Sequence, residues 1–484
     1  MAEYDERGYY SPSFFPAYNL VFLMHQTMSH TYSATAMGQE LRQFLRLGTP
    51  ILIAEALHMS ASFVDTIMAG RYSSADLAAV AVGSSLLFPV LILMMGTIMA
   101  TTPTVAQYFG AKKLSLIGPF VQQSIWLAAM LSCLAVGLLY ALDPIFDWLD
   151  IKDPIKGIGL RYLHAAALSL PAVAIMQSLR SFSEGLGITK PMMYFSLLGL
   201  MINIPLNYIF IYGKFGVPEM GGEGCGWATA ISLWASVIGM AIYVYAKPAY
   251  HQCAMFTQFD WPQFNTQLKI LKVGLPIGFS IFIEATMFAI GALMLAPLGA
   301  DIVAAHQLVL NFTSMCFMLP LSIGMALTIR VGHGIGGNLP DQVKRSVLVG
   351  FGLALGVSSF TCLLMLMLPV TLSGIYTTEP IVIEIAASLF IFAALFQLSD
   401  ALQIAATGAL RGFKDTAKPL LFIFISYWLI GLPLGYVLAM TDLMYPAMGA
   451  SGFWIGIIFG LSVSALLLCL RLWRVLTKPL PKPS

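Results

Sequence analysis

Four carboxylates stand inside long apolar stretches of this sequence: Glu55, Asp65, Glu284 and Asp400. An ionisable group near the middle of a bilayer is costly, so by default it is functional and has a partner. On the spans read below, no Lys or Arg lies deep enough to neutralise these acids. Each must then be protonated, bind a cation or face water, and each state suits a cation-coupled transporter. Burial favours a protonated carboxyl and a bound cation favours the ionised one. A site that alternates between proton and cation exploits both.

Spacing groups these acids with other polar residues. Asp65 lies 19 residues past Arg46, roughly 28 Å along a helix. Asn203 and Asn207 lie 13 and 17 residues past Lys190, roughly 20 and 26 Å along theirs. The asparagines are four apart and share one helix face. A carboxylate with two amide carbonyls is a hard oxygen set that suits Na⁺ or a proton relay. Spacing alone equally allows the asparagines to bond helix to helix. Glu284 lies 12 residues past Lys272, and Asp400 lies 11 before Arg411 on a helix running the other way, which puts both near mid-membrane. Gln403 follows Asp400 by three and can share its face. Glu55 stands ten residues before Asp65 and off its face, so a structural and a cavity-lining role are equally open to it. His58 and His306 read as hydrogen-bonded packing residues.

The elements that must hold these residues follow from composition. The 484 residues are 58% hydrophobic and 10% charged, against about 25% charged in soluble domains. That excludes an ordinary soluble enzyme, a disordered chain and, with a net charge of +2, a nucleic-acid binder. About 20 apolar residues make one crossing. Twelve runs qualify: 46–70, 76–102, 118–142, 158–178, 191–213, 224–247, 272–298, 302–329, 345–372, 380–407, 418–440 and 446–471. Their unbroken apolar length predicts helices, since barrel strands would alternate. The six cysteines form no CxxC pair and read as small hydrophobes, without a disulfide framework or zinc site. Residues 1–45 read as a cytoplasmic extension and 472–484 as a cytoplasmic tail. With both termini inside, 20 Lys and Arg face the cytoplasm; only Arg71, Lys152, Lys156, Arg161 and Lys214 face out. That asymmetry is the positive-inside pattern. Asp143, Asp147, Asp150 and Asp153 mark a solvated loop after the third span.

The chain repeats itself at an offset near 226–228 residues. Gly48-Thr49-Pro50 returns as Gly274-Leu275-Pro276, Lys190-Pro191 as Lys418-Pro419, Pro205-Leu206 and Tyr208 as Pro433-Leu434 and Tyr436, and Trp227 as Trp454. Six spans per repeat is an even number, so the halves are parallel and related by an axis along the membrane normal. The expected fold is an all-α polytopic membrane protein. About twelve transmembrane helices form two six-helix lobes, 46–247 and 272–471, joined by a loop 248–271 and facing a central cavity.

The segment Phe63-Val64-Asp65-Thr66-Ile67-Met68-Ala69-Gly70 resembles the first-span signature of the multidrug and toxic compound extrusion (MATE) family, specifically its NorM branch. Pro103-Thr104-Val105-Ala106-Gln107, Asn203-Ile204-Pro205-Leu206-Asn207-Tyr208, Ala304-Ala305-His306-Gln307 and Leu410-Arg411-Gly412-Phe413-Lys414-Asp415-Thr416 follow in family order. The resemblance runs from about residue 41 to 475. It implies a monomeric exporter in the bacterial inner membrane. Driven by Na⁺ or H⁺ and using no cofactor, it would expel varied, often cationic drugs and dyes. By resemblance, Asp65, Asn203 and Asn207 form a coupling site in the first lobe, and Glu284 and Asp400 one in the second. Either set would hold Na⁺. Gln307, Ser84, Glu379 and Gln403 are the substrate contacts the reading suggests. Glu55 matches no family motif. The partners expected are small organic cations and membrane lipid, with no nucleic acid.

Three rival readings fit the sequence less well. A flippase for lipid-linked precursors would need a strongly cationic cavity, whereas the deep charges read here are acidic. An intramembrane metalloprotease would carry an HExxH helix, which is absent from the sequence, and a transferase would need a longer polar loop. One acid cluster per lobe fits a carrier better than a channel.

Overall fold

A computed structural model describes residues 34–256, 259–443 and 446–481. Among them twelve helices are long and apolar enough to cross a membrane. We label them α1 (Ala36–Tyr72), α2 (Ser74–Gly110), α3 (Leu114–Trp148), α4 (Ile155–Gly185), α5 (Lys190–Tyr212), α6 (Gly222–Ala246), α7 (Phe264–Leu298), α8 (Ala300–Gly336), α9 (Pro340–Met367), α10 (Pro380–Gly412), α11 (Ala417–Met440) and α12 (Ala450–Leu476). No strand occurs among the described residues. The apolar runs dictate this, because only helices and closed barrels satisfy every backbone group inside lipid.

The helices overrun the spans drawn from hydropathy, mostly at one end. Helix begins by Ala34 rather than at residue 46, so residues 34–45 belong to the bundle. The rest of the expected N-terminal extension lies outside the described residues. α7 begins at Phe264 and shortens the inter-lobe connection, which contains a short helix, Pro248–His251. The C-terminal helix continues to Leu476. Arg180, Arg330 and Arg411, expected in loops, all lie on helices. Hydropathy windows stop at a charge, but a helix continues through one whose partner lies on a neighbouring helix.

Close helix contact comes from small residues. Gly431 and Gly435 of α11 meet Gly456 and Gly460 of α12, where a Cβ on Gly456 would come within 2.3 Å of the Gly435 Cα. α11 is π-helical over Ile425–Gly431, just before Pro433. A proline cannot donate to the preceding turn and crowds its carbonyl, and a wider turn relieves both. π-turns of this kind recur at functional sites.

The two lobes meet at the end that carries Lys112, Lys190, Lys269, Lys344 and Arg411, here called the basic end. Gly110 lies against the backbone of His333, and Gly336 against that of Gln107. Gln107 Nε2 donates to the Gly412 carbonyl at 2.9 Å, and the His333 ring contacts the Gly185 carbonyl oxygen at 2.8 Å. Arg330 clasps Glu40 with two bonds of 2.8 and 2.7 Å, and Ser346 donates to the same carboxylate. Lys414 stands over the Tyr108 ring. Burial, with Lys269 nearby, pushes its ammonium pKa down to about 8.

Gly274 is the tightest of these contacts. A Cβ there would sit 1.9 Å from the Thr97 carbonyl oxygen, a backbone atom that cannot step aside alone. Gly274→Ala is therefore expected to force α7 off α2 and part the lobes at the basic end. Spin labels at Lys113 and Asn338, both exposed, should report a longer distance. An unchanged distance distribution would refute this.

Candidate functional site

In the first lobe α1, α5 and α6 converge on Asp65. Asn207 Nδ2 donates to Asp65 Oδ1 at 2.5 Å, and Thr229 Oγ1 donates to Asp65 Oδ2 at 3.0 Å. Asn207 Nδ2 also reaches Asn203 Oδ1 at 2.9 Å, and Asn203 Nδ2 reaches Thr229 at 3.3 Å. The three residues expected from spacing thus meet in one network. The asparagines are 2% and 0% exposed, and Asn207 Oδ1 has no partner among the described residues. An orphaned acceptor beside a carboxylate is the arrangement a hard cation satisfies. Thr229 was missed from sequence, since a threonine in an apolar helix carries no depth or spacing signal.

In the second lobe Glu284 of α7 accepts from Gln403 Nε2 and, at 3.0 Å, from Tyr427 Oη. The Tyr427 hydroxyl also lies 2.9 Å from Gln403 Oε1. Tyr427 sits within the π-turn of α11 and is 1% exposed. Asp400 lies one turn before Gln403 on α10, 2% exposed, with Oδ2 unpartnered among the described residues. It is near enough to Glu284 for their charges to interact. Glu284 and Asp400 thus stand near one another on α7 and α10. Gln403, suggested among the substrate contacts, donates to Glu284 and accepts from Tyr427 here. Tyr427 was not anticipated, because the π-turn that aims it leaves no local sequence signature beyond Pro433.

Glu55 has a partner that the sequence reading denied it. Arg180 Nη2 donates to Glu55 Oε1 at 2.6 Å and Arg180 Nε to Glu184 Oε1 at 2.7 Å. The Arg180 and Glu184 side chains are 6% and 1% exposed, that of Glu55 22%. Arg180 Nη2 also approaches Met325 Sδ of the other lobe at 3.6 Å. The expectation that no basic residue lies deep enough to neutralise an acid is thus corrected here. His58, expected as a hydrogen-bonded packing residue, bonds Ser196 at 3.2 Å but is exposed. His306 packs edge-on to Phe453 and Trp454, but neither ring nitrogen finds a partner among the described residues.

Of the suggested substrate contacts, Ser84 shares a 3.0 Å hydrogen bond with Tyr162 Oη. Gln307 and Glu379 are exposed, the latter as the residue capping α10. Of the four acids expected in a loop after the third span, Asp143 and Asp147 lie on the helix Asp143–Trp148 that ends α3, and only Asp150 and Asp153 lie beyond it, because the helix continues past the apolar run once its charges face water. Asp147 pairs with Lys156, and Asp143 contacts His164 at 2.9 Å.

Two six-helix lobes, each with a carboxylate held in an amide and hydroxyl network between its helices, define a membrane transporter of the two-lobed carrier class. The MatE family profile matches twice, over residues 50–209 and 276–437. The second match is displaced by 226 residues at its start and 228 at its end, the offset of the internal repeat. The chain belongs to the MatE family and is a secondary multidrug efflux transporter, not an enzyme. It is 44% identical over 436 residues to multidrug resistance protein PmpM of Pseudomonas aeruginosa, covering 90% of this chain and 91% of that one. It is 42% identical over 434 residues to multidrug resistance protein NorM of Vibrio vulnificus, covering 90% and 95%. A multidrug resistance MATE transporter of the MOP superfamily, solved outward-facing, superposes with a TM-score of 0.82 at 18% identity, covering 90% and 96%.

Proposed function

We propose that this protein is an antiporter that exports varied, often cationic drugs and dyes in exchange for Na⁺ or H⁺ by alternating access. The observation that carries this reading is the pair of part-buried polar networks, Asp65–Asn203–Asn207–Thr229 and Glu284–Asp400–Gln403–Tyr427. Each keeps one oxygen unpartnered among the described residues, Asn207 Oδ1 and Asp400 Oδ2. Buried polar atoms are ordinarily served by a hydrogen bond, water or an ion. The names of PmpM and NorM, multidrug resistance proteins, support the substrate class.

With both termini in the cytoplasm of a bacterial inner membrane, the basic end faces inward. The packing of the lobes there supports an outward-open state. In the proposed cycle a cation entering from outside binds a carboxylate network. Its amide and hydroxyl groups turn oxygens toward the ion, and the helices that carry them shift. Drug held near Ser84, Gln307 and Glu379 then leaves outward. The lobes part at the basic end, the cation escapes inward, and drug enters from the cytoplasm or inner leaflet. Linkage requires that cation and drug weaken each other's binding by the same factor. Each chain carries both lobes, which supports a monomeric carrier. Deep arginines are compatible with a flippase, but Glu55 and Glu184 pair with Arg180, and the similar PmpM and NorM are named multidrug resistance proteins.

Dye efflux from proteoliposomes, with Na⁺ and pH gradients imposed separately, tests the proposal. One gradient or both should drive export against the dye gradient. Export indifferent to both would sink it.

A further inference from the structure

The second half of α10 carries a polar side chain at nearly every turn: Gln397, Asp400, Gln403, Thr407 and Arg411. Spacings of three, three, four and four place all five within one face, and 14 residues span about 21 Å. The face is turned inward, since Gln397, Asp400, Gln403 and Thr407 are 0–6% exposed. Both ends of the Gln397 amide, Asp400 Oδ2 and Thr407 Oγ1 lack a partner among the described residues. Packing alone would place apolar residues on such a face, as it does on most of this helix. A row of buried polar atoms unpaired by the protein is instead what a file of waters or a passing ion would satisfy.

The row runs from the Glu284–Asp400 site toward the basic end. There Arg411 lines a small inter-lobe cavity of about 20 Å³ with Glu184, Thr102 and Thr328, room for a single water. Arg411 lies near enough to Glu284 for their charges to interact. It also precedes Gly412, whose carbonyl is held across the lobe contact by Gln107.

We propose that this face of α10 is the route by which the coupling cation leaves the Glu284–Asp400 site toward the basic end. Thr407 Oγ1 serves as an intermediate ligand and the Arg411 guanidinium as the electrostatic gate. The proposal rests on the antiport reading above. While the lobes are packed, a fixed positive charge in the narrow end of the route repels a departing cation. When α2 withdraws, Gln107 releases the Gly412 carbonyl, the cavity opens to water, and Arg411 is screened and free to move aside. Cation release is thereby tied to lobe opening, which a tightly coupled exchanger requires.

The test uses the full chain in proteoliposomes without drug. Passive flux of ²²Na⁺ is measured beside proton flux read by an internal pH dye. Arg411→Gln should raise the flux of the coupling ion at least tenfold, and Arg411→Lys, which keeps the charge, should stay near the wild type. In the Arg411→Gln background, Thr407→Val should cut the leak severalfold and Asp400→Asn should abolish it. A folded Arg411→Gln protein that stays tight to both ions overturns the proposal, as does a leak that survives Asp400→Asn. Should Arg411→Gln fail to fold, Thr407→Val alone decides, since wild-type turnover in gradient-driven export would overturn the route. Wild-type export in the same vesicles separates the two claims. If no gradient drives it, the antiport reading fails; if one does and Arg411→Gln stays tight, only the route fails.

Discussion

Asp400→Asn is expected to abolish gradient-driven dye export while leaving the bundle folded. Asp400 makes no hydrogen bond through Oδ2 among the described residues and is 2% exposed, so a neutral side chain of the same shape costs little stability. What it removes is the ability to carry a charge and exchange it. Coupling between two ligands is typically worth about 1–3 kcal/mol, or roughly 5–150-fold in affinity. A transporter that loses it still binds drug but no longer pumps. Export driven by a Na⁺ or pH gradient should fall at least about tenfold, toward the vesicle background, while equilibrium dye binding persists. Full-rate export by Asp400→Asn, Asp65→Asn and Glu284→Gln alike would remove these acids from the mechanism.

Arg180→Met is expected to destabilise the bundle strongly. It leaves Glu184, 1% exposed, and Glu55, 22% exposed, without their shared cation. Breaking a buried ion pair by removing one partner costs about 3–5 kcal/mol. The lower part of that range applies to the Glu55 side of the triad, which water partly screens. Thermal unfolding in detergent should shift well below the wild type. Replacing the whole group, Arg180→Met with Glu55→Gln and Glu184→Met, should recover much of the loss, because no charge is then stranded. The single variant melting with the wild type would show that the triad contributes nothing.

Sequence and structure divide at these same residues. Asp65, Asn203, Asn207, Glu284 and Asp400 were legible as a set because lipid makes a buried charge or amide expensive, and the expense shows in one dimension as a polar letter in an apolar run. Thr229 and Tyr427 were not, since hydroxyls are tolerated in membrane helices and only their direction makes them partners. Glu55 was read as unpaired because Arg180 sits 125 residues away, at the margin of an apolar window. The span boundaries failed at Arg180, Arg330 and Arg411 for the same reason, as hydropathy counts a charge but cannot see its counter-charge.

The sequence by itself determined that this chain crosses a membrane about twelve times in two parallel repeats, because apolar run length and the order of repeated motifs are properties of a string. Its motifs also pointed to the family. Only the tertiary structure decided which acids are neutralised and which keep an oxygen free, which polar residues of α10 are buried without a partner among the described residues, and at which end the lobes pack together. Those depend on distances between helices far apart in the chain, and electrostatics and hydrogen bonding act over distances of a few ångströms.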